Sequence, residues 1–168
     1  ATRNEVMANA YFLRAYCYFT LVRVFGDCPL LTSGFESEKQ EDMYPSRTAA
    51  SEVYAQVETD IEEALRLMPA SSKLLHKASP AAINMLRTEY YLWKAKRLGG
   101  GNAALSTAQS SVDAVLKAGY ALLPTFADIF NLNNEANSEL IWTLPYIVNE
   151  NVTPGTSPNF FAYYLAPN

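Results

Sequence analysis

RNEVMANAYFLRAYCYFTLVRVFGDCPL, residues 3–30, is the stretch of sequence that decides the fold. Its apolar residues recur at helical spacing and predict an α-helix over 3–25, with one row formed by Val6, Ala10, Leu13, Cys17, Leu21 and Val24. A second apolar row lies beside it and contains Phe12, Tyr16 and Phe19. A helix that is apolar over so much of its circumference must be surrounded by other helices. Gly26 and Pro29 then end it, as a C-cap and a residue that cannot continue a helix.

Three more helices are predicted after a long acidic loop, at 48–68, 80–98 and 102–118. Ser79 and Pro80 are a good N-cap and first-turn residue for the third helix, and Asn102 is expected to cap the fourth. Short connections favour pairing of the first helix with the second and of the third with the fourth. Helix pairs of this size are typical of a tetratricopeptide-like array, although two pairs are fewer than such arrays usually need.

The periodicity changes after Gly119. Residues Glu139–Val148 (ELIWTLPYIV) predict a strand rich in β-branched and aromatic residues, and Pro145 would restrict it to a sheet edge. The expected fold class is therefore mainly α, with helix pairs over 1–119 and an irregular, partly β segment over 120–168, in one domain.

Composition excludes several classes of function. The chain of 168 residues carries a net charge of -4, and its last basic residue is Lys117, so it lacks the basic stripe of a nucleic-acid-binding protein. No apolar stretch approaches the roughly 20 residues of a membrane span. Cys17 and Cys28 form neither a disulfide framework nor a metal motif.

Catalysis, cofactors and metals are not indicated by any motif. The single histidine, His76, lies in a polar linker without a nearby ligand set. Asp60, Glu62 and Glu63 could suggest a carboxylate pair for glycoside hydrolysis. We interpret all three as a solvated helix face, because no pattern would bury one of them and raise its pKa. The sequence thus predicts a protein without enzymatic activity, cofactor or metal.

A series of short blocks resembles the SusD/RagB family of nutrient-binding lipoproteins, in the family's order and spacing from about residue 4 to 142. The blocks are FLRAYCYF (12–19), LVRVFGDCPL (21–30), EVY (52–54), DIEEA (60–64), LMP (67–69), YLWKAK (91–96), GYAL (119–122) and NSELIW (137–142). Each block is weak alone, whereas the ordered series is specific. Cys28 and the residues 76–78 depart from the family pattern without disturbing the helices. Family members are several hundred residues long, so the chain resembles the helical core of such a protein.

The resemblance implies a surface-exposed protein of the outer membrane in a Bacteroidetes-like bacterium, held by a lipid anchor outside this chain. It implies capture of a nutrient, an oligosaccharide above all, and delivery to a SusC-like TonB-dependent transporter. The alternative is a tetratricopeptide-type scaffold that binds a protein partner and no nutrient.

Four residues are the candidate ligand-binding set within this segment. Trp142 and Tyr146 alternate on the predicted strand and so share a face, where their rings could stack on a sugar. Asn149 and Asn151 follow and could bond hydroxyl groups. The alternative is that both rings pack against the helices. Trp93 is at core spacing and is interpreted as packing. The aromatic run of the tail is either core or ligand surface, and core is favoured because large apolar groups are usually buried, for Phe160, Phe161, Tyr163 and Tyr164.

Overall fold

The computed structural model describes residues 2–34, 44–70, 75–134 and 136–144. Its four long helices are α1 (Arg3–Phe25), α2 (Ala50–Leu67), α3 (Pro80–Arg97) and α4 (Gly101–Leu116), followed by one turn of helix, α5 (Phe126–Ile129). Each long helix lies within two residues of its predicted bounds at either end. α1 packs along α2 and α3 along α4, which confirms the predicted pairing and the mainly α fold.

The helix ends show which capping signals a sequence reveals. Ser79 accepts a hydrogen bond from the Ala82 N–H at 3.1 Å, so the predicted cap of α3 is confirmed. α2 has no capping side chain of its own, because its N-cap is Ala49. The Asp27 carboxylate, 23 residues earlier, instead accepts from the Ala50 N–H at 2.8 Å. A cap supplied from so far along the chain leaves no local signal.

The predicted cap of α4 was wrong. α4 begins at Gly101 with Gly100 as N-cap, and Asn102 lies inside the helix. The turn from α3 is tight, since the Gly100 N–H bonds back to the Lys94 carbonyl oxygen at 3.0 Å. Gly99 and Gly101 have φ of 74° and 52°, a region that favours glycine. Three consecutive glycines therefore make the whole turn and leave no place for a capping asparagine.

The core lies between the pairs and uses the second of the two predicted rows of α1. Small residues among the buried positions allow α1 and α2 to approach closely, and the buried set on these helices is Ala8, Phe12, Ala15, Phe19, Val22, Val53, Val57, Ile61 and Ala64. The first row, by contrast, faces away from the described helices: Val6 is 58% and Val24 68% exposed. Periodicity correctly identified two apolar faces on α1, but it could not indicate which of them meets α2.

The strand predicted at Glu139–Val148 is absent from its described part. Residues 139–144 run as turn and extended backbone, and 145–148 lie outside the described residues. A strand needs a neighbouring strand to satisfy its backbone groups. Here the Thr143 N–H bonds to the Leu75 carbonyl oxygen in the loop before α3, at 3.0 Å. The segment therefore lies on the helices as irregular chain.

Candidate functional site

Trp142, the first of the predicted ring donors, lies where residues 139–144 cross the helices. Its indole meets Phe12 at 5.1 Å and Tyr16 at 5.3 Å between ring centroids, both edge to face. Phe12 is buried, whereas Tyr16 is 39% exposed and Trp142 half-buried. One end of this aromatic cluster thus belongs to the core and the other borders solvent.

A groove runs beside Trp142 across α1, α3 and α4. Its larger part, here the aromatic end, encloses about 480 Å³ and is lined chiefly by Phe12, Tyr16, Met85, Leu92, Ile141 and Trp142. Its smaller part, here the aliphatic end, encloses about 290 Å³ and is lined chiefly by Met85, Val112, Val115, Leu116, Leu122 and Ile141. Met85 and Ile141 line both parts, so the two ends form one continuous groove. The aromatic end is within the usual size range of small-ligand pockets.

Hydrogen bonds fix the segment that carries Trp142 on its N-terminal side. The Asn137 amide donates to the Asn134 carbonyl oxygen at 3.0 Å, and its Oδ1 accepts from the Glu139 N–H at 3.1 Å. Glu139 Oε2 in turn accepts from the Leu123 N–H at 2.9 Å. The block NSELIW is therefore a device that joins the chain after α4 to the groove.

On its C-terminal side the same segment is tied to the loop before α3. The Thr143 N–H bonds to Leu75, and Thr143 Oγ1 lies 3.1 Å from His76 Nδ1. Trp142 is thus held between two anchored neighbours. A ring with its backbone fixed on both sides is preorganised for contact with a ligand or with another part of the protein.

Few polar groups face the groove, and most already have partners. Glu89 forms an ion pair with Arg23, whose guanidinium stacks over the Phe19 ring at 4.0 Å. The Thr88 hydroxyl donates to the Asn84 carbonyl oxygen at 2.8 Å. The groove can therefore accept apolar faces and rings, with Glu89 as a polar group at its rim.

The structure places only one of the four predicted site residues. Tyr146, Asn149 and Asn151 lie outside the described residues, as does the aromatic run that begins at Phe160. Tyr16 was not predicted as a site residue, because its helical spacing made it a member of the apolar row. Its contact with Trp142 joins positions 126 residues apart and has no signal in a single sequence.

Asp60 corrects one sequence interpretation. It was expected on a solvated face but is 1% exposed. Arg14 donates to both of its carboxylate oxygens, from Nε at 2.7 Å and Nη2 at 2.6 Å, and the Gln56 amide adds a third bond at 2.8 Å. Glu63 does lie at the surface, paired with Arg66 at 2.7 Å. A carboxylate held by so many donors stays ionised and has no free oxygen for acid–base work.

A second carboxylate, Glu58, joins the two helix pairs. It accepts hydrogen bonds from the Tyr90 hydroxyl at 2.9 Å, the Tyr91 hydroxyl at 2.9 Å and Lys94 Nζ at 2.7 Å. Burial would raise the pKa of Glu58, but these bonds outweigh it and hold that pKa below its usual value. Burial, with the bond to Glu58, raises the pKa of both tyrosines. The network is a tie between α2 and α3, and all its members are partnered.

Neither a metal centre nor a membrane span is found in the part of the chain that the structure describes. No group of His, Cys, Asp and Glu there could hold a metal ion. None of the described helices combines the length and apolarity needed to cross a bilayer.

Comparison with known proteins gives consistent matches. A family model described as SusD-like, "Starch-binding associating with outer membrane", matches residues 1–92. SusD-like protein P38 of Formosa agariphila is 32% identical, over 98% of this chain and 34% of its own length. The structure of NanU of B. fragilis superposes with a TM-score of 0.78 at 29% identity, over 87% of this chain and 29% of that one.

A laminarin-binding SusD-like protein superposes with a TM-score of 0.67 at 25% identity, over 84% of this chain and 31% of its own. Among the curated relatives, this chain spans between 26% and 34% of their length.

Proposed function

This chain belongs to the SusD-like family, and from that membership we propose that it is the helical part of a protein that binds an oligosaccharide. The family description names starch binding, and one similar structure is that of a laminarin-binding protein. The observation in this chain that supports a ring-binding ligand is the position of Trp142 and Tyr16, edge to face at the open border of the groove. We further propose that 1–119 and 120–168 form one domain of a longer polypeptide.

The proposed ligand contacts follow the chemistry of a sugar. A pyranose ring presents C–H faces to aromatic rings, and Trp142 and Tyr146 are the rings we propose for stacking. Asn149 and Asn151 offer both donors and acceptors to hydroxyl groups. The groove itself has few free polar groups, so polar contacts supplied from residues after 144 would complement it. Tyr16 is added to this set because its ring touches Trp142 and is exposed.

The proposed partner is a SusC-like TonB-dependent transporter. The family description places such proteins at the outer membrane, and we propose a surface-exposed position through a lipid anchor outside this chain. Two packed helix pairs tied together by Glu58 offer a rigid surface for docking. In this role the protein captures the ligand and delivers it, and transport is the work of the channel.

We propose that the protein has no catalytic activity of its own. Asp60 and Glu58, the most buried carboxylates among the described residues, are held ionised by Arg14 and by Lys94. Glycoside hydrolysis needs a carboxyl group with a raised pKa as proton donor. Both of these carboxylates lack that property.

A protein-binding scaffold is the second candidate function. The observation that favours it is the uncovered apolar row of α1, which includes Val6, Leu13 and Val24. Apolar helix faces of this length usually contact another helix. This candidate predicts a protein partner on α1 and no affinity for glycans.

Titration with defined oligosaccharides tests the proposal. The variant Trp93→Phe leaves Trp142 as the single tryptophan, because the chain contains two. Laminari- and xylogluco-oligosaccharides are added while fluorescence is followed, and isothermal titration measures the affinity. Saturable quenching is expected with one of these glycans. Absence of binding to a broad glycan panel, together with capture of a helical peptide on α1, would decide for the scaffold.

A further inference from the structure

The aliphatic end of the groove is an uncovered apolar surface. Leu122 is 85% exposed, and Leu116 and Met85 beside it are also exposed. The only charged group that lines this end, Glu139, is occupied by the Leu123 N–H. Contiguous apolar surfaces of this kind are normally covered by protein. The question is which segment covers this one.

The chain carries a suitable segment a short distance beyond the groove. Residues 159–165 read NFFAYYL, and 151–168 contains no charged side chain. The described structure ends at Leu144, two residues after Trp142 in the groove wall. The sixteen residues 145–160 can span roughly 50 Å when extended, so the segment can reach any part of the groove.

We propose that residues 159–165 pack across the aliphatic end of the groove, with Phe160 and Phe161 against Leu116 and Leu122. An uncharged aromatic segment matches a surface whose one carboxylate is already bonded. Aromatic side chains bury large areas, roughly 150–250 Å² each, and the aliphatic end offers Met85 and two leucines for such contacts. The aromatic end at Trp142 stays open, so this packing goes beyond the proposed glycan binding and does not depend on it.

Tethering favours this segment over other occupants. A segment joined to the groove by a short linker has an effective concentration in the millimolar range, as is usual for flexible linkers. A second copy of the chain would have to compete from free solution. Protection of the groove by the tail should therefore be independent of protein concentration.

Thiol labelling tests the proposal in the full chain. The exposed native thiol is removed by Cys17→Ser, and Cys28 is buried. Leu122→Cys is the reporter in the groove. Val24→Cys is the matched control, since Val24 is 68% exposed and does not line the groove. Alkylation rates of both are measured with Phe160→Ser/Phe161→Ser and, as a control in the tail, with Val152→Ser.

The expected result is alkylation of Leu122→Cys at least about tenfold slower than that of Val24→Cys. Phe160→Ser/Phe161→Ser should abolish the difference, and Val152→Ser should not. Equal rates in the unmodified tail would overturn the proposal, as would protection that survives Phe160→Ser/Phe161→Ser. Protection that disappears on dilution would assign the groove to a second copy and also overturn it.

Discussion

Arg14 grips Asp60 through two parallel hydrogen bonds, from Nε at 2.7 Å and from Nη2 at 2.6 Å, across the interface of α1 and α2. The same guanidinium donates through Nη1 to the Thr32 carbonyl oxygen at 3.2 Å, and so fixes the loop after α1. Asp60 is buried and Arg14 partly exposed. Removal of one partner from such a pair leaves an uncompensated charge in the interior.

Asp60→Asn should therefore destabilise the protein strongly. We expect a loss of about 3–5 kcal/mol in the free energy of unfolding, because Arg14 keeps its charge and loses its counter-ion. Glu63→Gln is the control, as it breaks an exposed pair with Arg66 and should cost at most about 1 kcal/mol. Urea unfolding followed by circular dichroism measures both. Similar losses for the two variants would show that Asp60 is solvated in the folded protein.

Glu58 makes the stability depend on acid pH. Its pKa is lower in the folded chain than its usual value of 4.5, so its bonds stabilise the protein above that pH. The contribution declines as the pH falls below 4.5 and is lost once the pH passes below the folded pKa. The difference in unfolding free energy between the wild type and Glu58→Gln should thus shrink on acidification from pH 7. A difference that is constant with pH would show that Glu58 has no shifted pKa.

Trp142→Ala separates the two roles considered for this ring. Its edge-to-face contacts with Phe12 and Tyr16 are each worth roughly 0.5–1.5 kcal/mol, so we expect a stability loss of about 1–3 kcal/mol. This is smaller than the loss expected for a fully buried tryptophan, because the indole is half-buried. If the ring is also a glycan platform, affinity measured on the folded variant should fall, whereas Trp93→Phe should retain it. Normal glycan affinity in folded Trp142→Ala would end the platform hypothesis.

The sequence allowed the helices, their pairing and the Ser79 cap to be predicted, because each depends on residues close together in the chain. Features that depend on distant partners were missed. Asp27 caps α2 from another element, and Asp60 is buried because Arg14 lies on the facing helix. Neither relationship leaves a local pattern, since helical periodicity records only whether a side chain is apolar.

The candidate site shows the same division. Trp142 was correctly singled out as a ring beside a possible ligand surface, but the strand assigned to it was wrong. β-branched and aromatic residues favour a strand only where another strand can pair with it. The helices and the loop at Leu75 supply the partners here. Tyr16 and the groove arise from packing of α1, α3 and the chain after α4, which a single sequence does not reveal. The other three candidates, from Tyr146 onward, stay predictions.

Gly100→Ala tests the turn that joins α3 to α4. A Cβ at this position would lie 2.8 Å from Ala104 Cβ and 3.0 Å from Lys94 Cγ. Lys94 can move its side chain, but Ala104 Cβ is fixed to the backbone of α4, so that helix must shift. We expect a loss of about 1–3 kcal/mol in unfolding free energy, as for other overpacked sites. Gly34→Ala is the control, because a Cβ there meets no atom within 4 Å. Because the same shift would displace the α4 wall of the aliphatic end, Gly100→Ala should also speed alkylation of Leu122→Cys, whereas Gly34→Ala should not. Equal stability of the two variants would mean that the turn has room for a side chain, and the close approach of α3 and α4 would then need another cause than the absence of a Cβ.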